Sequence, residues 1–395
     1  MPDAWTSTSW LNCPYPQAPT YPHAAHLIHI VSQLHQKKAL VHLKEIKHLK
    51  RLLAKASRGQ AFILQGGDCA ESFNDCRPAM IRSQLNLMFK MAGILAPHVN
   101  GPIVPIGRIA GQYAKPRSSS CEQQQGITLP SYQGDLVNAV HFDKTARTPN
   151  PERLLKGYRS AAKTLDFIRA ELKTTAFYTS HEALHLHYES ALTRRNKQGC
   201  WYDFSAHLPW LGIRTSQLDG AHVEFLRGIA NPIGIKIGPD ATPIWLISLL
   251  DRLNPRREEG RILLITRLGA QHVDNLLPTL IQAIQKHNHP VTWACDPMHG
   301  NNQRTQSGMK TRHMDTIWQE LKRTCYIHQA QKSHLGGLHL EMTPEAVTEC
   351  LGGATNLSEF DLHTAYRSLL DPRLNQQQAL ELTEKFKSLL APISK

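Results

Sequence analysis

Eight short apolar runs recur along the chain, and each ends in polar residues or glycine. They occupy residues 61–67, 102–111, 175–182, 201–212, 232–239, 261–269, 291–300 and 337–344. Segments that can hold a helix lie between most of them, for example residues 151–173 and 272–287. Strand–helix alternation repeated eight times predicts an α/β protein with a (β/α)8 barrel, a fold for which 395 residues is a normal length.

The polar residues that follow these runs are candidates for chemistry, because reactive groups of such barrels lie at the carboxyl ends of the strands. They are Cys69, Arg108, Glu182, Lys236, Arg267, His299 and Glu341. Cys69 stands in LQGGDCAESF (64–73), just beyond two glycines, where a thiol can serve as a ligand or a nucleophile. That stretch alone leaves packing and chemistry equally open.

The segment before the first run predicts a basic amphipathic helix over residues 35–58. Its apolar residues recur at helical spacing and comprise Ala39, Leu43, Ile46, Leu49 and Leu53. We therefore predict a short N-terminal extension with this helix, residues 1–58, followed by the barrel, residues 59–395. The helix carries part of the net charge of +13, and a solvated basic face explains it better than attraction of anionic substrates.

Composition and simple patterns exclude several classes of protein. The chain contains no run of about 18 apolar residues, so no membrane span is predicted. It also contains no zinc-finger, RNP or helix-turn-helix pattern that would support nucleic-acid binding. The N-terminus lacks the features of a secretory signal. Eight scattered cysteines without a CxxC pair indicate reduced thiols, so we expect a cytoplasmic protein.

Four candidate ligands combine a thiol, an imidazole and two carboxylates: Cys69, His299, Glu341 and Asp371 of DPRLN (371–375). Such a mixed set suits Mn, Fe, Co or Zn better than Mg or Ca. Each residue also has a structural explanation, since Asp371 before proline can simply begin a turn. No local spacing links the four, so the residues alone leave the metal site open.

A second group of candidates is cationic. Arg108, Lys115 and Arg117 lie in RIAGQYAKPRSSS (108–120), beside hydroxyl side chains that suit phosphate. Three more cations follow later strands, namely Arg214, Lys236 and Arg267. Together they would repel one another at one end of a barrel without bound anions, so we predict a site for two phosphate-bearing ligands. Dispersed surface charge is the alternative. Lys236, inside an apolar strand, needs a partner or a lowered pKa.

Two other patterns suggest different enzymes. HEALH (181–185) matches the HExxH zinc-protease motif, but the preceding apolar run places His181 and Glu182 at a strand end and not within a helix. Lys236 as a Schiff-base nucleophile of a barrel aldolase is the best alternative if no metal binds.

Nine motifs in order resemble one family. They are LQGGDCAESF, GRIAGQYAKPRS, SHEAL, QLDGAH, ANPIGIKIGP, CDPMHGN, KTRH, TECLGG and DPRLN. Together they resemble type II (plant-like) 3-deoxy-D-arabino-heptulosonate 7-phosphate (DAHP) synthases, from about residue 10 to near the C-terminus. The resemblance implies a TIM-barrel transferase that uses a divalent metal to condense phosphoenolpyruvate with erythrose 4-phosphate at the entry to the shikimate pathway.

The resemblance also implies roles for individual residues. Metal ligands would be Cys69, His299, Glu341 and Asp371, holding Mn²⁺ or Co²⁺, with Zn²⁺ or Fe²⁺ as alternatives. Phosphoenolpyruvate would bind Arg108, Lys115, Lys236 and Arg267, while the phosphate of erythrose 4-phosphate would bind Arg117, Ser118 and Arg214. Lys236, Lys115 and Arg214 are the expected catalytic residues, and we expect a homo-oligomer.

Three departures from the family's pattern modify these expectations. Ile213 stands where the family usually has the glutamate of Gly-Glu-Arg-Thr, so a modified aldose phosphate such as the imino analogue, or weak activity, are alternatives. Leu370 replaces a cysteine, which removes a disulfide with Cys69. Few residues separate the helix segment 151–173 from the run 175–182, where regulated relatives carry extra helices. The chain therefore resembles the short, feedback-insensitive form known from phenazine clusters.

Overall fold

A computed structural model, which describes residues 5–390, contains eight parallel strands closed into a barrel. The strands are β1 (Phe62–Gly67), β2 (Ile103–Arg108), β3 (Tyr178–Glu182), β4 (Leu208–Leu211), β5 (Ile233–Ile237), β6 (Ile262–Thr266), β7 (Val291–Cys295) and β8 (Leu335–Glu341). Each strand pairs with its neighbours in sequence, and β8 closes the barrel against β1. The predicted (β/α)8 fold is confirmed.

Helices connect the strands and cover the outside of the barrel. Two precede β1, and one helix of seven or more residues follows each strand: α1 (Ala24–His35), α2 (Leu43–Ala56), α3 (Pro78–Leu95), α4 (Glu152–Leu172), α5 (Leu186–Leu192), α6 (Ala221–Gly228), α7 (Pro243–Leu253), α8 (Val273–His287), α9 (Met314–Ala330) and α10 (Gln376–Lys387). Two four-residue helices, Lys144–Arg147 and Leu362–Ala365, lie in the loops after β2 and β8. Within residues 5–390, no helix has the length and apolar character that crossing a bilayer requires.

Most strand residues are apolar because both faces of the strands are covered, although β3 is largely polar and Lys236 lies within β5. In β6, Leu263 and Ile265 join the cluster that fills the barrel interior, whereas Ile262 and Leu264 pack in the cluster between the barrel and its surrounding helices. A continuous apolar run therefore indicates a barrel strand, and the polar residues that follow it lie at the carboxyl end of that strand.

One predicted strand is shorter than the apolar run that predicted it. Within residues 201–212, only Leu208–Leu211 joins the barrel, whereas Trp201–Asp203 forms a hairpin with Thr193–Arg195. The Asn231 side chain accepts a hydrogen bond from the Asp203 amide at 2.9 Å and donates to the Asp203 carbonyl at 2.7 Å. These bonds hold the chain away from the barrel ladder before β4 begins.

The predicted basic helix is also shorter than expected. It begins at Leu43 and not at residue 35, because the carboxylate of Glu45 accepts a hydrogen bond from the His42 amide at 2.9 Å and caps the helix there. Ala39 lies outside the helix and is exposed.

The apolar face of α2 is buried as predicted. Leu49 and Leu53 pack with barrel residues such as Ile63 and Leu263, and the Leu53 carbonyl accepts a hydrogen bond from the Thr292 hydroxyl at 2.8 Å. The helix thus covers the amino-terminal end of the barrel. The domain boundary expected at residue 58 stays a prediction.

Candidate functional site

The carboxyl end of the barrel brings the four predicted metal ligands together. Cys69 follows β1, His299 follows β7, Glu341 ends β8, and Asp371 lies in the loop between β8 and α10. One ligand atom each of Cys69, Glu341 and Asp371 lies within 4.8 Å of the others. The His299 Nε2 atom is 2.8 Å from Glu341 Oε1. Side chains separated by hundreds of residues thus form one cluster.

A cation of the protein already lies among these atoms. The Lys115 ammonium nitrogen is 2.7 Å from Cys69 Sγ, 3.0 Å from Asp371 Oδ2 and 3.4 Å from Glu341 Oε1. Sulfur and carboxylate donors that surround one positive charge, with the His299 imidazole next to Glu341, also fit a divalent transition-metal ion.

Glu341 is the electrostatic centre of the cluster. It is fully buried, and its two oxygens accept hydrogen bonds from Arg108 and Arg312, each at 2.9 Å. Burial opposes ionisation, but the charges of His299, Lys115 and the two arginines hold the pKa of Glu341 well below its usual range. Burial, together with the Glu341 charge, raises the pKa of the Cys69 thiol to about 12.

Arg108 is committed to contacts within the protein. Its Nε donates to the Asp68 carbonyl at 2.8 Å, one Nη donates to the Cys69 carbonyl at 3.0 Å, and the other lies 2.7 Å from His339 Nε2. Arg108 thereby fixes the loop after β1 against β8. Its expected contact with phosphoenolpyruvate stays a prediction.

Lys236 has both a partner and a lowered pKa, the two alternatives that its apolar strand left open. The ammonium ion-pairs with buried Asp296, whose carboxylate also lies 2.7 Å from His299 Nδ1. Burial lowers the pKa of Lys236 to about 8, against the opposing effect of Asp296. Lys236 is thus linked to the metal-ligand cluster through one carboxylate.

Arg267 directly follows β6 and contacts the loop after β7. Its Nη2 donates to the His299 carbonyl at 2.6 Å, whereas its Nε is buried without a hydrogen-bond partner in the described chain. A Cβ built on Gly238 would lie 3.5 Å from an Ile213 methyl and 3.8 Å from Arg267 Nη1, so Ile213 and Arg267 share one small space. The apolar side chain of Ile213 and the guanidinium of Arg267 thus both lie near Gly238.

The three residues expected at the second phosphate are more exposed. Arg214 lies on a 3-10 turn after β4, and Ser118 lies in an exposed loop. Arg117 pairs with Glu122 at 3.0 Å. Across residues 5–390, no hydrogen bond or ion pair joins these three side chains to the four expected metal ligands. Their role stays a prediction.

The HEALH motif does not form a helical zinc pair. His181 and Glu182 end strand β3, and His185 precedes α5. His181 Nε2 lies 2.9 Å from Glu189, whereas His185 Nε2 lies 2.7 Å from the Tyr21 hydroxyl. His181 and Glu182 thus lie at a strand end, as the strand pattern predicted, and the two histidines contact different partners.

Four charged residues in and around the site escaped the sequence analysis: Asp296, Arg312, Glu320 and Glu349. Asp296 directly follows an apolar run, and Arg312 stands in the quoted motif KTRH, so both had a signal in the sequence. Glu349 likewise stands in the quoted motif TECLGG, whereas Glu320 had no signal, because its partners lie in other loops.

Fold and site together define a class, the (β/α)8-barrel enzymes with a thiol, imidazole and carboxylate cluster at the carboxyl end of the barrel. The model of the class-II DAHP synthetase family matches residues 5–175 and 170–387. A Neurospora crassa protein named phospho-2-dehydro-3-deoxyheptonate aldolase is 40% identical over 447 aligned positions, which cover 96% of this chain and 92% of its own. A Streptomyces coelicolor protein of the same name is 38% identical, covering 95% of each chain.

The chain therefore belongs to the class-II DAHP synthetase family, and it is a transferase. The predicted family and enzyme class are confirmed. A solved structure of a Francisella tularensis protein titled phospho-2-dehydro-3-deoxyheptonate aldolase superposes with a TM-score of 0.56 at 14% identity, covering 97% of this chain and 98% of that chain. At that identity the likeness supports the barrel fold alone.

Proposed function

We propose that this enzyme condenses phosphoenolpyruvate with erythrose 4-phosphate to give DAHP and phosphate, and that it needs a divalent metal. Family membership supports the reaction. The observation that carries the metal requirement is the convergence of Cys69, Glu341 and Asp371 within 4.8 Å, next to His299.

Those four residues would hold the metal, for which Mn²⁺ or Co²⁺ is the best fit and Zn²⁺ or Fe²⁺ the alternative. When bound, such an ion supplies Lewis acidity toward the aldehyde oxygen of erythrose 4-phosphate. The mixed donor set supports this choice over Mg²⁺ or Ca²⁺, which prefer oxygen ligands alone.

The cations around the cluster would position the substrates. Phosphoenolpyruvate binds beside Arg108, Lys115, Lys236 and Arg267, and Arg117, Ser118 and Arg214 hold the phosphate of the aldose. Holding both substrates by their phosphates aligns C3 of phosphoenolpyruvate with the aldehyde carbon and removes the entropic cost of their encounter from the chemical step.

Lys236 is the residue best suited to move a proton. Its pKa of about 8 lies near neutral pH, where a general acid or base works most efficiently. Its carboxylate partner Asp296 keeps the ammonium aligned with the cluster.

The enzyme would also lack inhibition by aromatic amino acids. Only residues 173–177 separate α4 from β3, and the family model matches in two segments that overlap at residues 170–175. The Neurospora crassa alignment spans 447 positions against 395 residues here, so that relative carries segments that this chain lacks. These observations support the short form associated with secondary metabolism. A cytoplasmic location and a homo-oligomeric state stay predictions.

The test is phosphate release from the two substrates after metal removal. EDTA should abolish the activity, and Mn²⁺ or Co²⁺ should restore it. Cys69→Ser should lose most of the activity, whereas Cys121→Ser, at an exposed cysteine of a surface hairpin, should match the wild type. Full turnover by metal-free protein would refute the metal requirement.

A modified aldehyde such as the imino analogue is the second candidate substrate. Ile213 supports it, because the apolar side chain lies beside Arg267 in the place of the family's usual carboxylate. Comparing kcat/KM for the two aldehydes decides between them, and a clear preference for erythrose 4-phosphate removes this candidate.

A further inference from the structure

Glu320 on α9 is a buried carboxylate that contacts the site only through other residues. Its Oε1 accepts hydrogen bonds from the backbone amides of Leu268 and Gly269, both at 2.9 Å, and its Oε2 accepts one from the Asn301 side chain at 2.6 Å. No ion pair within residues 5–390 includes Glu320. Burial raises the pKa of Glu320 to about 8, against the opposing effect of its hydrogen bonds from Gly269, Asn301 and Leu268.

The three donors belong to two loops that carry predicted site residues. Leu268 and Gly269 directly follow Arg267, and Asn301 lies two residues after His299. Asn301 connects the same loops a second time, since its Oδ1 accepts a hydrogen bond from the Ala270 amide at 3.0 Å.

The two loops touch backbone to backbone. A Cβ built on Gly300 would lie 2.3 Å from the Gly269 nitrogen, and one built on Gly269 would lie 2.8 Å from the Gly300 carbonyl oxygen. Gly269 also has a φ of +86°, which L side chains rarely adopt. Arg267 then donates across the contact to the His299 carbonyl at 2.6 Å.

A carboxylate is a costly way to satisfy two backbone amides. Burying a charge without a counter-ion destabilises a protein, even when hydrogen bonds compensate part of the loss. A neutral acceptor would satisfy the amides at a lower cost. With a pKa of about 8, Glu320 is largely protonated at neutral pH, and its Oε1 can accept from both backbone amides in either protonation state. The bridge between the two loops therefore depends on this geometry.

We propose that Glu320 is a positioning residue. Through the Leu268 and Gly269 amides and through Asn301, it fixes the guanidinium of Arg267 relative to the loop of His299, and thereby sets the affinity for the phosphate of phosphoenolpyruvate. The inference rests on the proposed function in assigning that phosphate to Arg267.

Glu320→Gln tests the bridge with little change in volume. One amide oxygen can still accept from the two backbone amides, but the amide nitrogen then faces the Asn301 Nδ2 donor. Asn301→Ala breaks the same bridge from the other side. Asn254→Ala is the matched control, because buried Asn254 bonds the amide and carbonyl of Glu258 at the opposite end of the barrel.

We expect Glu320→Gln to raise the KM for phosphoenolpyruvate about tenfold and to change kcat less than threefold. Asn254→Ala should keep both constants within twofold of the wild type even if it lowers the Tm equally. The double variant Glu320→Gln/Asn301→Ala should be no worse than the poorer single variant, because both changes break one bridge. A KM for Glu320→Gln equal to that of Asn254→Ala overturns the proposal.

Hydrogen exchange tests the bridge without turnover. Amides in segments 267–270 and 297–301 should exchange faster in Glu320→Gln than in the wild type, whereas Asn254→Ala should leave their exchange unchanged. If Glu320→Gln does not fold, Asn301→Ala should show the same faster exchange. Unchanged exchange in these segments overturns the inference whatever the activity. A wild type that does not consume both substrates rejects the proposed function instead, and the exchange result still decides the role of Glu320.

Discussion

Glu349 gives the sharpest prediction about stability. This fully buried carboxylate lies between β8 and α10 and pairs with Arg373, accepting from Nη2 at 2.7 Å and from Nε at 3.0 Å. It also accepts hydrogen bonds from the backbone amides of Ser368 at 2.8 Å and Arg373 at 2.7 Å. These contacts enclose Asp371, so Glu349→Gln perturbs the loop that carries a predicted metal ligand.

The expected loss of unfolding free energy in Glu349→Gln depends on the contacts that Arg373 retains. Removing one partner of a buried ion pair costs about 3–5 kcal/mol, because the other charge stays buried without compensation. Arg373 still donates to Asp68 at 2.6 Å. We therefore expect Glu349→Gln to lower the free energy of unfolding by about 3 kcal/mol, the lower end of that range.

The assay is urea denaturation beside a control from the same loop. Glu345→Gln removes an ion pair with Arg367, and the exposed fractions of these two side chains are 26% and 61%. Such exposed pairs contribute about 1 kcal/mol or less. A loss for Glu349→Gln no larger than that for Glu345→Gln would refute the reasoning.

Three further predictions concern pH, inhibitors and a buried arginine. Because Lys236 loses its proton as pH rises through about 8, kcat/KM should fall above that pH. Asp296→Asn should move this fall to lower pH, because it removes the negative charge that favours the ammonium. A pH profile of kcat/KM that is flat would contradict this role of Lys236. Phenylalanine, tyrosine and tryptophan, alone or mixed, should change the initial rate less than twofold, and strong inhibition would reveal an effector site. Arg312→Lys should lower the free energy of unfolding by about 2 kcal/mol in urea, the size of one lost hydrogen bond to a charged group, since an ammonium cannot replace a guanidinium bonded to both Glu341 and Asn302; an unchanged midpoint would contradict it.

Local sequence predicted the barrel and its reactive end because each strand carries its own evidence. An apolar run identifies a strand covered on both faces, and the next polar residue must then lie at the carboxyl end. Lys236 illustrates the reasoning, since a charge inside such a run had to find a partner or lose basicity.

Contacts between distant loops left no such evidence. Glu320 bonds amides about fifty residues away, and Glu349 bonds a loop that follows it by twenty, so neither forms a pattern along the chain. Helix α1, in contrast, could have been predicted from the sequence, because its buried residues Leu27, Ile30 and Leu34 recur at helical spacing. The run 201–212 was misjudged because Asn231, far along the chain, decides where β4 begins.

The structure also shows that fewer cations support the prediction of phosphate-bearing substrates than the sequence suggested. Among the six cations expected at the site, Arg108 and Lys115 are paired with Glu341, Lys236 with Asp296, and Arg117 with Glu122. Their mutual repulsion is therefore largely compensated by the protein.

Arg214 and Arg267 are different, because no ion pair within residues 5–390 includes either. Burial lowers the pKa of Arg267, and the nearby charge of Arg214 lowers it further, against the effect of Asp296. A bound phosphate would satisfy the free Nε of Arg267 and relieve the repulsion between the two guanidinium groups. The inference of an anionic ligand thus depends on these two arginines, which follow β6 and β4, and no longer on the count of positive charges.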